Sequence, residues 1–201
     1  RSTTLLPTST GDPLAAAIVT LTALHRLGLG PEVDPEAAAD AMDLVAEASA
    51  ARLDVSQNRA KGIALELADA DPLVWGGSIL AARASRRVAE ALRAATGRVV
   101  LSADAGALEP LLTQVSPRDP FADPFEDLPA TRRPGLVLLD DGRDDDQATV
   151  ERRRLRFYAE SREVMVSELV HDSGDVLERY VTVLQKGLFA AAYLQVGLGR
   201  Y

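Results

Sequence analysis

The chain contains no cysteine, which excludes disulfides and thiolate metal sites and makes a cytoplasmic location the expectation. No apolar run approaches the ~20 residues that a membrane span needs. The first residues, Arg1-Ser2-Thr3-Thr4-Leu5-Leu6-Pro7, lack the long apolar core of a secretory signal. Positive charge is also short: 22 Lys and Arg stand against 30 Asp and Glu, a net charge of −8. That balance argues against nucleic-acid and anionic-membrane partners, which need a cationic surface. A Walker loop, a Gly-x-Ser-x-Gly elbow and a His/Cys cluster are all missing, so an ordinary nucleophilic hydrolase has no support. Neither a cofactor nor a metal is expected. The chain does not start with methionine, so a piece of a longer protein is the expectation.

What is present suits one hydrophobic core. The chain has 201 residues, of which 47% are hydrophobic. Its first part is all helical: Asp12-Pro13 and Asp34-Pro35-Glu36 are N-cap and first-turn signals for helices over about 14–27 and 35–52, and a third follows over about 58–68. The period then changes. Short apolar runs near 73–76, 98–102, 135–139 and 164–170 read as buried strands, alternating with helices over 78–95, 149–160 and 176–196. Continuous apolar strands separated by helices predict a doubly wound parallel sheet, an α/β fold with a preceding helical segment. The expected division is residues 1–57 for the helical segment and 58–201 for the α/β domain. One stretch, 116–134, carries five prolines and the near-repeat Asp119-Pro120-Phe121/Asp123-Pro124-Phe125; a loop of this length is either functional or disordered.

Open parallel sheets bind ligands at the carboxyl ends of their strands. Gly76-Gly77-Ser78 follows the first strand, and glycines ahead of a helix N-terminus let backbone N–H groups approach an anion. A tight turn with Ser78 as N-cap accounts for the same residues. Asp140-Asp141 follows the third strand and suits Mg²⁺ or phosphoryl acceptance; together with Asp144-Asp145-Asp146 it also reads as a solvated acidic loop favouring the next helix. Leu80, Val88, Ala91, Leu92 and Ala95 fall on one helical stripe. Glu90 falls outside it, with Arg83, Arg86 and Arg87, and by helix geometry alone is a surface ion-pair residue. His25 and His171 fall in no catalytic motif of the sequence, and each reads as structural.

Three segments carry a family resemblance. Asn58-Arg59-Ala60-Lys61-Gly62-Ile63-Ala64 resembles the Asn-x-Ala-Lys-x-(apolar)-Ala helix of the bifunctional phosphoglucose/phosphomannose isomerases. Pro72-Leu73-Val74-Trp75-Gly76 resembles the strand that follows there, and Gly187-Leu188-Phe189-Ala190-Ala191-Ala192-Tyr193-Leu194 is similar to the C-terminal Gly-Asp-Phe-x-Ser-x-Tyr-Leu helix. The order and spacing hold from about Pro7 to Tyr201. The resemblance implies a sugar-isomerase (SIS) domain of flavodoxin-like topology, the second of two in that family, with a sugar phosphate as ligand and homodimers common. Laying the family's Arg-Trp-Lys-x-Gln-(apolar)-Asn-Glu-Asn-x-Lys segment on Arg83 to Arg93 puts Glu90 on the base that moves a proton between C1 and C2.

The resemblance has gaps. The Trp and both Asn of that segment are Ala84, Ala89 and Ala91 here. The stretch from about Ser102 to Leu112, where the family has a ring-opening His, contains none, and Leu188 and Ala191 replace the last motif's Asp and Ser. The resemblance therefore implies an isomerase-like domain acting on glucose, mannose or fructose 6-phosphate, with Glu90 catalytic and Gly76, Gly77, Ser78 and Arg83 binding substrate. The alternative is a non-catalytic sugar-phosphate-binding or regulatory domain. A phosphoacceptor domain centred on Asp140 is a third reading.

Overall fold

The computed structural model describes residues 13–116, 132–171 and 173–200. The near-repeat at 119–125 and the cap at Asp12 lie outside them. Among the described residues, seven α-helices and four strands follow in the order α1 (Pro13–Arg26), α2 (Pro35–Ala48), α3 (Arg59–Glu66), β1 (Ala70–Gly76), α4 (Ile79–Thr96), β2 (Leu101–Ser102), α5 (Ala105–Thr113), β3 (Arg133–Asp140), α6 (Asp146–Ser161), β4 (Val166–Val170) and α7 (Val176–Gly197). The capping residues explain where helices begin. Asp34, Asn58, Ser78, Asp104, Asp145 and Asp175 each accept a backbone N–H from the first turn of the helix that follows, satisfying donors with no partner inside the helix. At α7 the cap is reciprocal: the Glu178 side chain accepts in return from the Asp175 N–H. Gly97, at φ 63°, closes α4 in the left-handed conformation.

The sheet has the order β2-β1-β3-β4, and every pairing is parallel, as the apolar runs predict. Alternation along the strands feeds two cores. Val74, Val137, Leu139 and Leu169 face α3, α4 and α7. Leu73, Trp75, Leu136 and Leu138 face α5 and α6, against Leu108, Leu112, Leu155 and Ala159. Both faces are covered, so neither alternates with polar residues. Burying each of these Leu side chains stabilises the fold by roughly 1.5–3 kcal/mol. Helices α1 and α2 form a third, smaller cluster against Leu177 and Val181 of α7.

Some elements differ from the sequence reading. Helix α5 was not expected, because Gly106 and Pro110 interrupt its pattern; burial of Leu108 and Leu112 overrides that weak local preference. The run from Arg98 contributes only Leu101 and Ser102 to the ladder. Upstream, the Val100 carbonyl accepts from Arg93 Nη1 at 2.7 Å, and Val99 faces solvent. The buried stripe of α4 is Ala81, Ala84, Ser85, Val88, Ala89, Leu92 and Ala95. Leu80 and Ala91 are half-buried and line cavities.

Two of the three resembling segments meet in space. Asn58 Nδ2 donates to the Ala50 carbonyl at 3.2 Å, and Lys61 Nζ to those of Ala51 and Leu53 at 2.8 and 2.7 Å. Tyr193 Oη donates to the Ser49 carbonyl at 2.5 Å, its ring 5.4 Å from the Lys61 ammonium. These residue types therefore tie the α2–α3 connection to α7, a structural role.

Candidate functional site

Chain direction reverses its neighbour order at β1. The connection through α4 leads to β2 on one side, and the connection through α5 leads back across to β3 on the other. The crevice between the carboxyl ends of β1 and β3 is the topological switch point, where ligands of open α/β sheets bind. A cavity of about 360 Å³ lies there, lined by Gly77, Ser78, Ile79, Leu80, Asp141, Arg143, Asp145, Val176 and Arg179.

Local packing dictates the two glycines. A Cβ on Gly76 would lie 2.3 Å from the Ala81 carbonyl carbon and 2.4 Å from its oxygen, and one on Gly77 would lie 2.5 Å from Asp144 Oδ1. Ser78 then caps α4, its Oγ accepting from the Ala81 N–H at 2.9 Å and donating to Asp141 Oδ2 at 2.7 Å. Asp141 is only 2% exposed; it also accepts from the Arg143 N–H at 3.2 Å.

The three helix N-termini around the crevice are not equivalent. Those of α6 and α7 are capped by carboxylates, Asp145 accepting from the Ala148 N–H and Asp175 from the Glu178 N–H, both at 2.8 Å. The cap of α4 is a neutral hydroxyl, and the negative charge at that helix end is the buried Asp141 carboxylate that accepts from it. Arg143 and Arg179 stand beside it. Neither has a carboxylate within 4.0 Å among the described residues. Arg179 spends Nε on the Gly174 carbonyl at 2.9 Å and Nη1 on the Asp141 carbonyl at 3.0 Å. The sequence reading missed both arginines. One signal existed: Arg179 stands in the first turn of α7, where the helix dipole disfavours a cation.

Behind the crevice, Asp140, Asp141 and Asp144 offer oxygens all within 4.8 Å of one another, a spacing a divalent cation accepts. Arg152 already bonds to Asp140, and to Asp144 Oδ2 at 2.6 Å. Burial pushes the Asp144 carboxyl above its ordinary range, with Arg152 acting in the opposite direction. Asp140 also accepts from the Gly142 N–H at 2.9 Å.

The remaining residues singled out in the sequence lie elsewhere. Arg83 is exposed on α4 and lines a separate cavity of about 740 Å³ under α1. The Glu90 side chain is 52% exposed and pairs with Arg87 at 2.9 Å. It lines a groove of about 680 Å³ between α1, α2, α4 and α7, together with Gln185, whose Oε1 is buried without a partner. Glu90 lies three turns beyond Ser78, about 18 Å along the axis of α4 at ~1.5 Å per residue. His25 is exposed in the last turn of α1. The His171 N–H donates to the Asp140 carbonyl at 2.9 Å, continuing the β3–β4 pairing.

No protein-family model matches this chain, and no curated protein matches it. A solved structure does: a glucose-6-phosphate isomerase-like protein from Thermus thermophilus, with a TM-score of 0.67 and 18% identity. The match covers 96% of this chain and 59% of that one, so the chain spans well under two thirds of the length of that protein. At this identity the likeness is one of fold. No helix among the described residues is long and apolar enough to cross a membrane.

Proposed function

We propose that this chain is a sugar-phosphate-binding domain built on a phosphosugar-isomerase-like (SIS-type) fold, with the phosphate at the switch-point crevice. The observation that carries this reading is the crevice itself. Ser78, the cap of α4, lines it together with Arg143 and Arg179, two guanidinium groups with no carboxylate within 4.0 Å among the described residues, while the Asp141 and Asp145 carboxylates of the same wall are held by the Ser78 hydroxyl and the Ala148 N–H. Gly76 serves by letting β1 and α4 approach and Gly77 by leaving room for the Asp144 side chain, and Gly77 and Ser78 line the crevice. The fold likeness to a glucose-6-phosphate isomerase-like protein supports a phosphorylated hexose as the ligand class. Titration of the protein with glucose 6-phosphate and fructose 6-phosphate tests it. Amide signals of Ile79, Leu80 and Arg143 shift on saturation, and Arg179→Ala weakens binding severalfold. Shifts confined to other regions, or binding unchanged in Arg179→Ala, overturn the assignment.

An isomerase reading is favoured by one further observation, the groove that Glu90, Arg87 and Gln185 share. There the Glu90 carboxylate is the base that carries a proton between C1 and C2 of the open-chain sugar. Glu90 and Ser78 are too far apart for one hexose phosphate to touch both. The phosphate anchor and the ring-opening acid must then come from another domain or from the second subunit of a homodimer. Interconversion of mannose, glucose and fructose 6-phosphates by the full-length protein, reduced about 10²–10⁴-fold in Glu90→Gln, supports this reading. Activity that survives that substitution removes Glu90 from the mechanism.

A further inference from the structure

The switch-point crevice shares part of its wall with a second space. Leu80 and Val176 line it and also line the 740 Å³ cavity under α1, so the two spaces adjoin. The second space differs in chemistry. Its walls include Leu14, Ala17, Leu21, Val33, Leu177 and Tyr180, and of the polar side chains Thr20, Glu32, Arg83 and Asp175 two are engaged. The Thr20 hydroxyl donates to the Ala16 carbonyl at 2.8 Å, and Asp175 caps α7. Arg83, on its wall, has no carboxylate within 4.0 Å among the described residues.

A bare hexose phosphate exploits only the mouth. Its ring carries hydroxyls on every side, and a hydroxyl moved against leucine and alanine loses its water partners without replacement. The adjoining cavity instead rewards hydrocarbon, which binding removes from water. Polar groups at the mouth and apolar walls behind it form the usual make-up of a small-molecule site for an amphipathic ligand.

We propose that the ligand is a sugar phosphate bearing an apolar substituent. Its phosphate lies at Ser78, Arg143 and Arg179, its ring fills the crevice, and its alkyl or aryl group passes between Leu80 and Val176 into the cavity under α1. This rests on the phosphate reading of the crevice given above. It also has a chemical consequence: a substituent on the C1 oxygen locks the ring closed, so a ligand of this kind is held and not isomerised.

The test is isothermal titration with glucose 6-phosphate and with the methyl, butyl and hexyl glucoside 6-phosphates. Affinity rises along the series, by up to about fourfold per methylene. Ala17 is exposed and lines the cavity, so substitution there leaves the core untouched. Ala17→Phe fills the space and Ala17→Asp charges it, and each abolishes the gain with chain length while retaining binding of glucose 6-phosphate. Equal affinity for all four ligands overturns the proposal and leaves the phosphate site standing. A gain that persists in both Ala17 variants also overturns it. Failure of every phosphate ester to bind overturns the phosphate reading and the proposal together. Pelleting with phosphatidic acid vesicles, without saturable binding of the soluble glycosides, assigns the apolar surface to lipid and overturns the soluble ligand.

Discussion

Gly76 separates two explanations of the Gly-Gly-Ser turn: backbone approach to a ligand, or backbone approach to the protein's own helix. The structure assigns the second to Gly76. A methyl group there would sit 2.3 Å from the Ala81 carbonyl carbon, 2.4 Å from its oxygen and 2.8 Å from the Ala82 nitrogen. All three are backbone atoms of the first turns of α4, so no flexible side chain can swing away. Gly76→Ala must push α4 off β1 or distort the end of the strand. Overpacking of this kind costs typically 1–3 kcal/mol, and a rigid backbone neighbour puts the change at the upper end. Reduced freedom of the unfolded chain returns only about 0.4–1 kcal/mol. A net loss of about 2 kcal/mol corresponds to a fall in Tm of roughly 4–8 °C for a domain of this size. The control is Gly62→Ala on α3, where the new methyl meets nothing nearer than the Arg59 guanidinium at 3.5 Å; it gains up to about 1 kcal/mol of helix propensity. Urea and thermal unfolding of the two variants beside the parent measure the difference. A Gly76→Ala protein that melts with or above the parent refutes the reasoning.

Gly187→Ala acts on the α4–α7 contact: its methyl would lie 2.3 Å from Val88 Cγ2, and pairing it with Val88→Ala restores most of the lost stability in a double-mutant cycle. Ser78→Ala removes the cap of α4 and the hydroxyl bonded to buried Asp141, costing about 1–3 kcal/mol in urea unfolding; a loss well below this range shows that water replaces both bonds. For Asp144, the folded state binds its proton more tightly than the unfolded state does. The parent therefore loses stability as pH rises from the ordinary value of 3.8 through the raised one. Asp144→Asn lacks that titration, so the stability of the variant relative to the parent climbs across this window and then levels; a flat difference contradicts burial as the dominant cause.

The parallel sheet was legible in the sequence because its signals are local. Pro72-Leu73-Val74-Trp75-Gly76 and Gly135 to Asp140 are apolar runs too short for helices, the first followed by a helix that opens on Ser78 and closes on Gly97. Caps at Asp34 and Ser78 were legible for the same reason: side chain and backbone donor lie two or three residues apart. Helix α5 was not, since its stability comes from Leu108 and Leu112 entering a core made by distant strands. Gly76-Gly77-Ser78 could be nominated from sequence, but not why they are glycines, because the atoms that forbid a side chain belong to α4 and to Asp144. Arg143 and Arg179 came to Ser78 only through the order of the strands, which sets the ends of β1 and β3 side by side. The same helix that made Arg83 and Glu90 look like neighbours of one site spreads them and Ser78 along its length, into three different cavities. Local chemistry fixed the elements; the distances between residues far apart in the chain, on which binding depends, existed only once the strands were ordered.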